Sequence, residues 1–376
     1  MANPLVELGQ FGQSPWLDNI SRGLITSGQL KALIDEDGLK GVTSNPAIFE
    51  KSITGSTDYD AAIAQLASQN KTAMAIYEAL AIDDIQQAAD VLRSVYEKTN
   101  GRDGFISLEV SPYLANDTAG TIEEARRLWQ AVDRNNVMIK VPATEAGIPA
   151  FRQLICDGLN VNVTLMFSFS VYEAVAAAYI SGLEDRAAQG GDVSGINSVT
   201  SFFISRIDSL VDDLLEHRAQ EAISALEQEK TRSLIGKVAI ANGTVTYQRY
   251  RELFTSTRWQ KLADQGAKTQ RVLWASTSTK NPDYRDVLYV EELIGKDTIN
   301  TLPDATLAAF RDHGRLSPTL ENGLADARAV MHTVAEVGIS MDEVADQLVK
   351  EGVKKFVDPF EDLINAIEQK RLQPVV

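Results

Sequence analysis

A single cysteine, Cys156, occurs in the 376 residues, so no disulfide can close within the chain. That scarcity fits a reducing, cytoplasmic setting. Histidine is nearly as sparse, with His217, His313 and His332 the whole set. None of them falls in an H-x-x-x-H or H-E-x-x-H spacing, which argues against a zinc site and leaves little for a Ser-His-Asp triad. Neither a G-x-G-x-x-G run nor a P-loop occurs, so a nucleotide is not the expected ligand. No apolar run nears the roughly 18 residues of a membrane span, and Met1 to Glu7 lacks the basic start and apolar core of a signal peptide. Positive charge is also short: 36 Lys and Arg face 52 Asp and Glu, a net −16. This argues against a broad nucleic-acid surface. An anionic small molecule would need a local basic pocket.

What the chain does have is a recurring alternation of short apolar strand, polar tip and amphipathic helix. That pattern belongs to βαβ proteins with a parallel sheet. Strands are expected at Pro15–Asp18, Gly41–Ser44, Phe105–Val110, Val137–Val141, Val161–Leu165, Ile196–Ser201, Arg271–Ala275 and Asp297–Leu302. Eight such units point to α/β architecture of the closed (β/α)8, or TIM-barrel, kind. Thr121-x-x-Glu124 and Ser170-x-x-Glu173 read as capping boxes opening two of the helices. Lys237–Asn242 is ambiguous and reads as helix, because Tyr247, Tyr250, Leu253 and Phe254 continue a helical stripe. Segments 52–82 and 305–371 read as mainly helical additions. The expected organisation is one barrel domain over 1–376, with the barrel over about 14–303 and a C-terminal helical extension over about 304–376.

Strand residues alternate between barrel interior and helix layer. Val137, Ile139 and Val141 oppose Met138 and Lys140; Ile106, Leu108 and Val110 oppose Ser107 and Glu109; Val161, Val163 and Leu165 oppose Asn162 and Thr164. The apolar sets suit the helix layer, so the polar sets should face inward. The same parity offers Trp16 and Asp18, then Thr43 and Asn45. The result is a constellation of Asp18, Asn45, Glu109, Lys140, Asn162 and Thr164 at strand ends, where this fold carries its catalytic groups. A lone lysine in a strand is more often a snorkelling or ion-paired residue than a catalyst. Inward Glu109 and Thr164 on the neighbouring strands change those odds. A neutral lysine amine attacks a ketone to form a Schiff base, whose iminium is an electron sink for breaking the adjacent C–C bond. Glu109 can move protons through a water held by Thr164, and Asp18 can take the proton of a substrate hydroxyl.

At these residues the sequence resembles the transaldolase family, within the class I aldolase barrels, over about residues 14 to 300. The motifs are Trp16-Leu17-Asp18, Gly41-Val42-Thr43-Ser44-Asn45-Pro46, Ser107-Leu108-Glu109-Val110-Ser111, Ile139-Lys140-Val141-Pro142-Ala143-Thr144 and Asn162-Val163-Thr164-Leu165-Met166-Phe167-Ser168. The resemblance implies that Lys140 is the Schiff-base lysine, that Glu109 and Thr164 hold the catalytic water, and that Asp18 is the acid/base. It implies that Thr43, Ser44, Asn45 and Asn162 line the substrate site, the two asparagines orienting the dihydroxyacetone part. Ser201-Phe202-Phe203-Ile204-Ser205-Arg206 resembles the family segment that ends in a phosphate-binding arginine, which adds Ser201, Phe203 and Arg206. Farther on, Trp274 to Lys280 departs from the family pattern, which has arginine close after the serine. Ser276 and Lys280 are the substitutes, and the departure points to a divergent bacterial-type subgroup.

The implied reaction moves dihydroxyacetone from sedoheptulose 7-phosphate or fructose 6-phosphate to an aldose phosphate, glyceraldehyde 3-phosphate or erythrose 4-phosphate. It belongs to the non-oxidative pentose phosphate pathway and needs neither cofactor nor metal. The expected partners are sugar phosphates alone, with no nucleic acid or membrane, in a monomer or homodimer. The alternatives are an aldolase releasing free dihydroxyacetone and a non-catalytic barrel that binds sugar phosphates. Glu109 and Phe203 stand where the aldolase cousins tend to carry glutamine and tyrosine, which favours transfer.

Overall fold

The computed structural model describes residues 3–372. Eight strands form a closed barrel: β1 (Gln13–Leu17), β2 (Gly41–Val42), β3 (Phe105–Glu109), β4 (Val137–Pro142), β5 (Val161–Met166), β6 (Ser198–Phe203), β7 (Arg271–Ala275) and β8 (Thr298–Leu302). Every neighbouring pair is parallel, and β1 closes on β8 in the register Trp16 to Thr301. The strand set is the one expected, with ends shifted. β6 starts and ends two residues later than its apolar run predicted, because Asn197 is held in the preceding turn by Asn160. Ser201 lies inside the strand and faces inward, where its hydroxyl donates to Asn162.

The helix starts also differ from the sequence reading. Helix Thr118–Val132 is capped by Asp117, whose carboxylate accepts the Gly120 N–H. Thr121 therefore lies inside the helix, and Glu124 accepts from the Ser111 N–H instead. Helix Phe169–Ala188 is capped by Ser168, two residues before the expected cap, while Ser170 donates to Asp342. The ambiguous stretch is helical from Val238 on, in helix Val238–Leu253, with Lys237 as its N-cap. Segment 52–82 is only partly an addition: Pro46–Thr54 and Asp60–Ser68 are extra, but helix Ala73–Lys98 is the crossover between β2 and β3. Asp304–His313 likewise follows β8 as a crossover helix.

The barrel floor is filled by a buried polar cluster. Asp103 accepts from Ser14, from the Trp16 indole and from the Arg271 guanidinium at 2.8–3.2 Å. Trp16 takes so much of the interior that a Cβ on Gly41 would sit 2.4 Å from its ring, so β2 must start with glycine. The apolar core includes residues from Leu5 to Ile367, and the C-terminal helices pack on the same cluster as the barrel. Helix Leu324–Glu336 lies against Val238–Leu253. The last helix, Met341–Leu372, reaches Pro46–Thr54, β5 and Pro112–Leu114, all at the end of the barrel where the strands terminate.

Candidate active site

The strand ends surround a cleft of about 650 Å³ whose wall includes Asp18, Thr43, Asn45, Lys140, Ser201, Phe203, Arg206, Ser276 and Lys280. Alternation puts Lys140 inside the barrel although it lies in the run Val137–Val141. Its side chain is only 5% exposed, and its ammonium pairs with Glu109 Oε2 at 3.3 Å. The same Nζ donates to the Ser44 carbonyl at 3.1 Å. Register explains the pair, since Glu109 and Lys140 are direct partners in the β3–β4 ladder. Burial pushes the Glu109 carboxyl up to about 6, against the pull of Lys140.

Thr164 is fully buried, and its hydroxyl has no hydrogen-bond partner among the described residues. Such an orphaned hydroxyl is costly unless a small polar molecule meets it. Asp18 follows the end of β1 and accepts from the Thr43 hydroxyl at 2.7 Å, which in turn lies 2.7 Å from the Thr301 hydroxyl. Burial raises the Asp18 carboxyl, and the bond from Thr43 and the charge of Lys140 oppose the rise.

The remaining candidates divide by what already holds them. Asn162 is fully buried in a chain of bonds: its amide donates to Ser107 and its carbonyl accepts from Ser201. The Asn45 side chain caps helix Pro46–Thr54 through the Ile48 N–H, leaving its amide nitrogen on the cleft. Ser44 turns its hydroxyl away to the Ser107 carbonyl, so only its main chain meets Lys140.

At the other side of the cleft, the Arg206 guanidinium stacks 5.1 Å from the Phe203 ring. Its Nη1 is buried with no partner. Asp208 and Asp212, the acids nearest in sequence on that helix, are engaged elsewhere: Asp208 holds the Ala239 N–H and Tyr289, and Asp212 holds the Gly236 N–H and Tyr284. Burial lowers the Arg206 guanidinium from its ordinary value. Ser276 has φ +56, a backbone conformation rare for serine, and meets the Ser205 hydroxyl at 2.9 Å. Lys280 stands at the exposed rim and donates to Ser278. Burial and the neighbouring Arg206 lower its ammonium. A half-buried guanidinium whose Nη1 has no partner among the described residues, beside a lysine, a serine and a helix start, has the chemistry to hold an anion.

Sequence reading missed five residues that also line the cleft: Ala275, Ser278, Thr301, Pro303 and Phe356. Thr301 was within reach, since strand parity in β8 sets it apart from Asn300. Phe356 carried no local signal, because it lies in an amphipathic helix well beyond the last strand and outside every motif used. Among the described residues, no cluster of His, Cys, Asp and Glu could hold a metal ion, and no helix is long and apolar enough to cross a membrane.

Residues 15–367 match the family model described as transaldolase/fructose-6-phosphate aldolase. A transaldolase of Trichodesmium erythraeum is 48% identical over 379 residues, covering all of both chains. A protein named transaldolase 2 from a Nostoc species is 48% identical over 98% of this chain and 97% of its own. A transaldolase of Thermobifida fusca is 45% identical over 98% and 99%.

Proposed function

Because the chain belongs to the transaldolase/fructose-6-phosphate aldolase family, we propose a course for its transaldolase reaction in which Lys140 carries the substrate. The carrying observation is the buried Lys140–Glu109 pair, with the partnerless Thr164 hydroxyl on the next strand. The Lys140 amine attacks the C2 ketone of the donor, and loss of water leaves an iminium. Glu109 passes the protons of that step through a water that Thr164 holds. With a carboxyl raised to about 6, Glu109 accepts and returns a proton near neutrality.

Asp18 then takes the proton of the C4 hydroxyl. The C3–C4 bond breaks, its electron pair moves to C3=C2, and the aldose phosphate departs. The three-carbon enamine remains on Lys140 until an acceptor aldehyde meets C3, when Asp18 returns its proton to the new hydroxyl; water then adds to C2 of the new iminium, with Glu109 moving the protons, and frees the ketose and the Lys140 amine. Asn45, Asn162 and Ser201, with Thr43 behind Asp18, orient the hydroxyls of the three-carbon unit. Arg206 binds the phosphate with Ser276, and Lys280 adds a point charge at the rim. Donor and acceptor are the ketose and aldose phosphates of the non-oxidative pentose phosphate pathway, and the sparse cysteine fits a cytoplasmic place for it.

Borohydride reduction after incubation with fructose 6-phosphate tests the assignment. A three-carbon adduct on Lys140 is expected in the peptide map. No adduct, or one on another lysine, would overturn it.

A further inference from the structure

The last helix does more than close the core. Gly352, Phe356 and Phe360 recur every four residues and so share one helical stripe. Gly352 brings the helix backbone close to β5: a Cβ there would stand 2.8 Å from Leu165 Cδ2. Leu165 is fully buried with φ +58, one residue after Thr164, where the β5–β6 register shifts. One turn past Phe356, the Phe360 ring lies edge-on to Tyr77 at 5.2 Å and to Tyr113 at 5.6 Å. Pro359 sits between these anchors and leaves the Lys355 carbonyl without its helical N–H. The helix is thus pinned on both sides of Phe356. Its ring, 5% exposed, is held over the cleft with its centroid 5.6 Å from Lys140 Nζ. Every other residue that sets the chemistry comes from a strand end or the loop after it. Phe356 is the apolar face opposite them.

We propose that Phe356 is a specificity-determining residue that keeps water from the three-carbon unit carried on Lys140, so that the unit passes to an acceptor aldose instead of being released. This rests on the Schiff-base reading of Lys140. After C3–C4 cleavage the enamine has two fates. In transfer, C3 forms a bond to the acceptor carbonyl carbon, the carbonyl oxygen gains a proton, and water then adds to C2 of the new iminium so that the C2–N bond breaks and the ketose leaves. In release, C3 takes a proton, water adds to C2, and the C2–N bond breaks to return the Lys140 amine and free dihydroxyacetone. The water that adds to C2 and frees the Lys140 amine is needed after either branch; release differs in the proton that C3 takes, and a water delivering it must reach a carbon beside the Phe356 ring. An apolar wall slows that protonation and leaves bond formation to the acceptor untouched.

The test compares free dihydroxyacetone with transferred product, from fructose 6-phosphate with and without erythrose 4-phosphate. Phe356→Ala is expected to raise the release-to-transfer ratio by roughly tenfold, with Phe356→Leu restoring most of the wild-type ratio. Gly352→Ala keeps the phenyl ring itself but pushes the helix that carries it off Leu165, and it should raise the ratio in the same direction. Borohydride trapping on each variant separates the two levels of the reading. Loss of the Lys140 adduct in the wild-type enzyme would sink the Schiff base itself. An adduct that forms in Phe356→Ala and Gly352→Ala while the ratio stays at the wild-type value would overturn the role of Phe356, as would an equal fall in both branches.

Discussion

Asp208 offers a clean stability experiment. It lies two residues after Arg206 and is 1% exposed. One carboxyl oxygen accepts the Ala239 N–H at 2.7 Å and the other accepts from the Tyr289 hydroxyl at 2.8 Å. Burial nevertheless lifts its carboxyl from the usual 3.8 to about 7, and nearby Asp212 adds to the rise. A carboxyl raised on folding contributes stability that is complete below its unfolded value and is lost as pH climbs through the folded one. Over the full window from about 4 to 7 that loss is at most ~4 kcal/mol, at ~1.4 kcal/mol per pH unit. Between pH 5 and 8 it amounts to ~3 kcal/mol. Asp208→Asn removes the titration. The amide cannot accept from Tyr289 as the carboxylate does, which costs about 1 kcal/mol, but that offset is nearly independent of pH. Urea denaturation of both proteins at pH 5, 6, 7 and 8 should therefore show the variant gaining ~3 kcal/mol on the wild type across the series. Titrating groups that do not interact with Asp208 cancel in the difference. Parallel stability curves would refute the reasoning, because they would mean that Asp208 ionises in the folded protein as readily as in the unfolded chain.

Two further outcomes concern the site. Arg206→Ala should raise KM for phosphorylated donors by about 10- to 100-fold, the worth of a charge-assisted hydrogen bond. Lys280→Ala, at the exposed rim, should raise it only severalfold; an unchanged KM in either variant removes that residue from the phosphate site. The pH profile of kcat/KM should fall below about pH 6, because Glu109 must be ionised to accept a proton and its carboxyl is raised to about 6. That limb belongs to the Glu109–Lys140 pair jointly. Glu109→Gln should lose about 10²- to 10⁴-fold in rate, and a profile flat down to pH 5 in the wild type would exclude Glu109 as the base.

Much of this was decided along the chain. Period-two alternation is a local property, and it put Glu109, Lys140 and Thr164 on one inner surface before any strand pairing was known. It survived errors in the strand ends, as β6 shows, because moving where a strand starts and stops leaves every side chain on its own face. The family motifs are local in the same sense, since each belongs to one strand end. Tertiary structure decided what alternation cannot encode. Register made Glu109 and Lys140 direct partners in the β3–β4 ladder. Packing turned the Ser44 hydroxyl away from the cleft, left the Arg206 Nη1 without a protein partner and occupied Asp208 and Asp212 elsewhere. It also laid a helix from the end of the chain across the barrel mouth. A single amphipathic stripe determines that the helix packs somewhere. Only the approach of Gly352 to Leu165 determines where, and with it that Phe356 stands over Lys140.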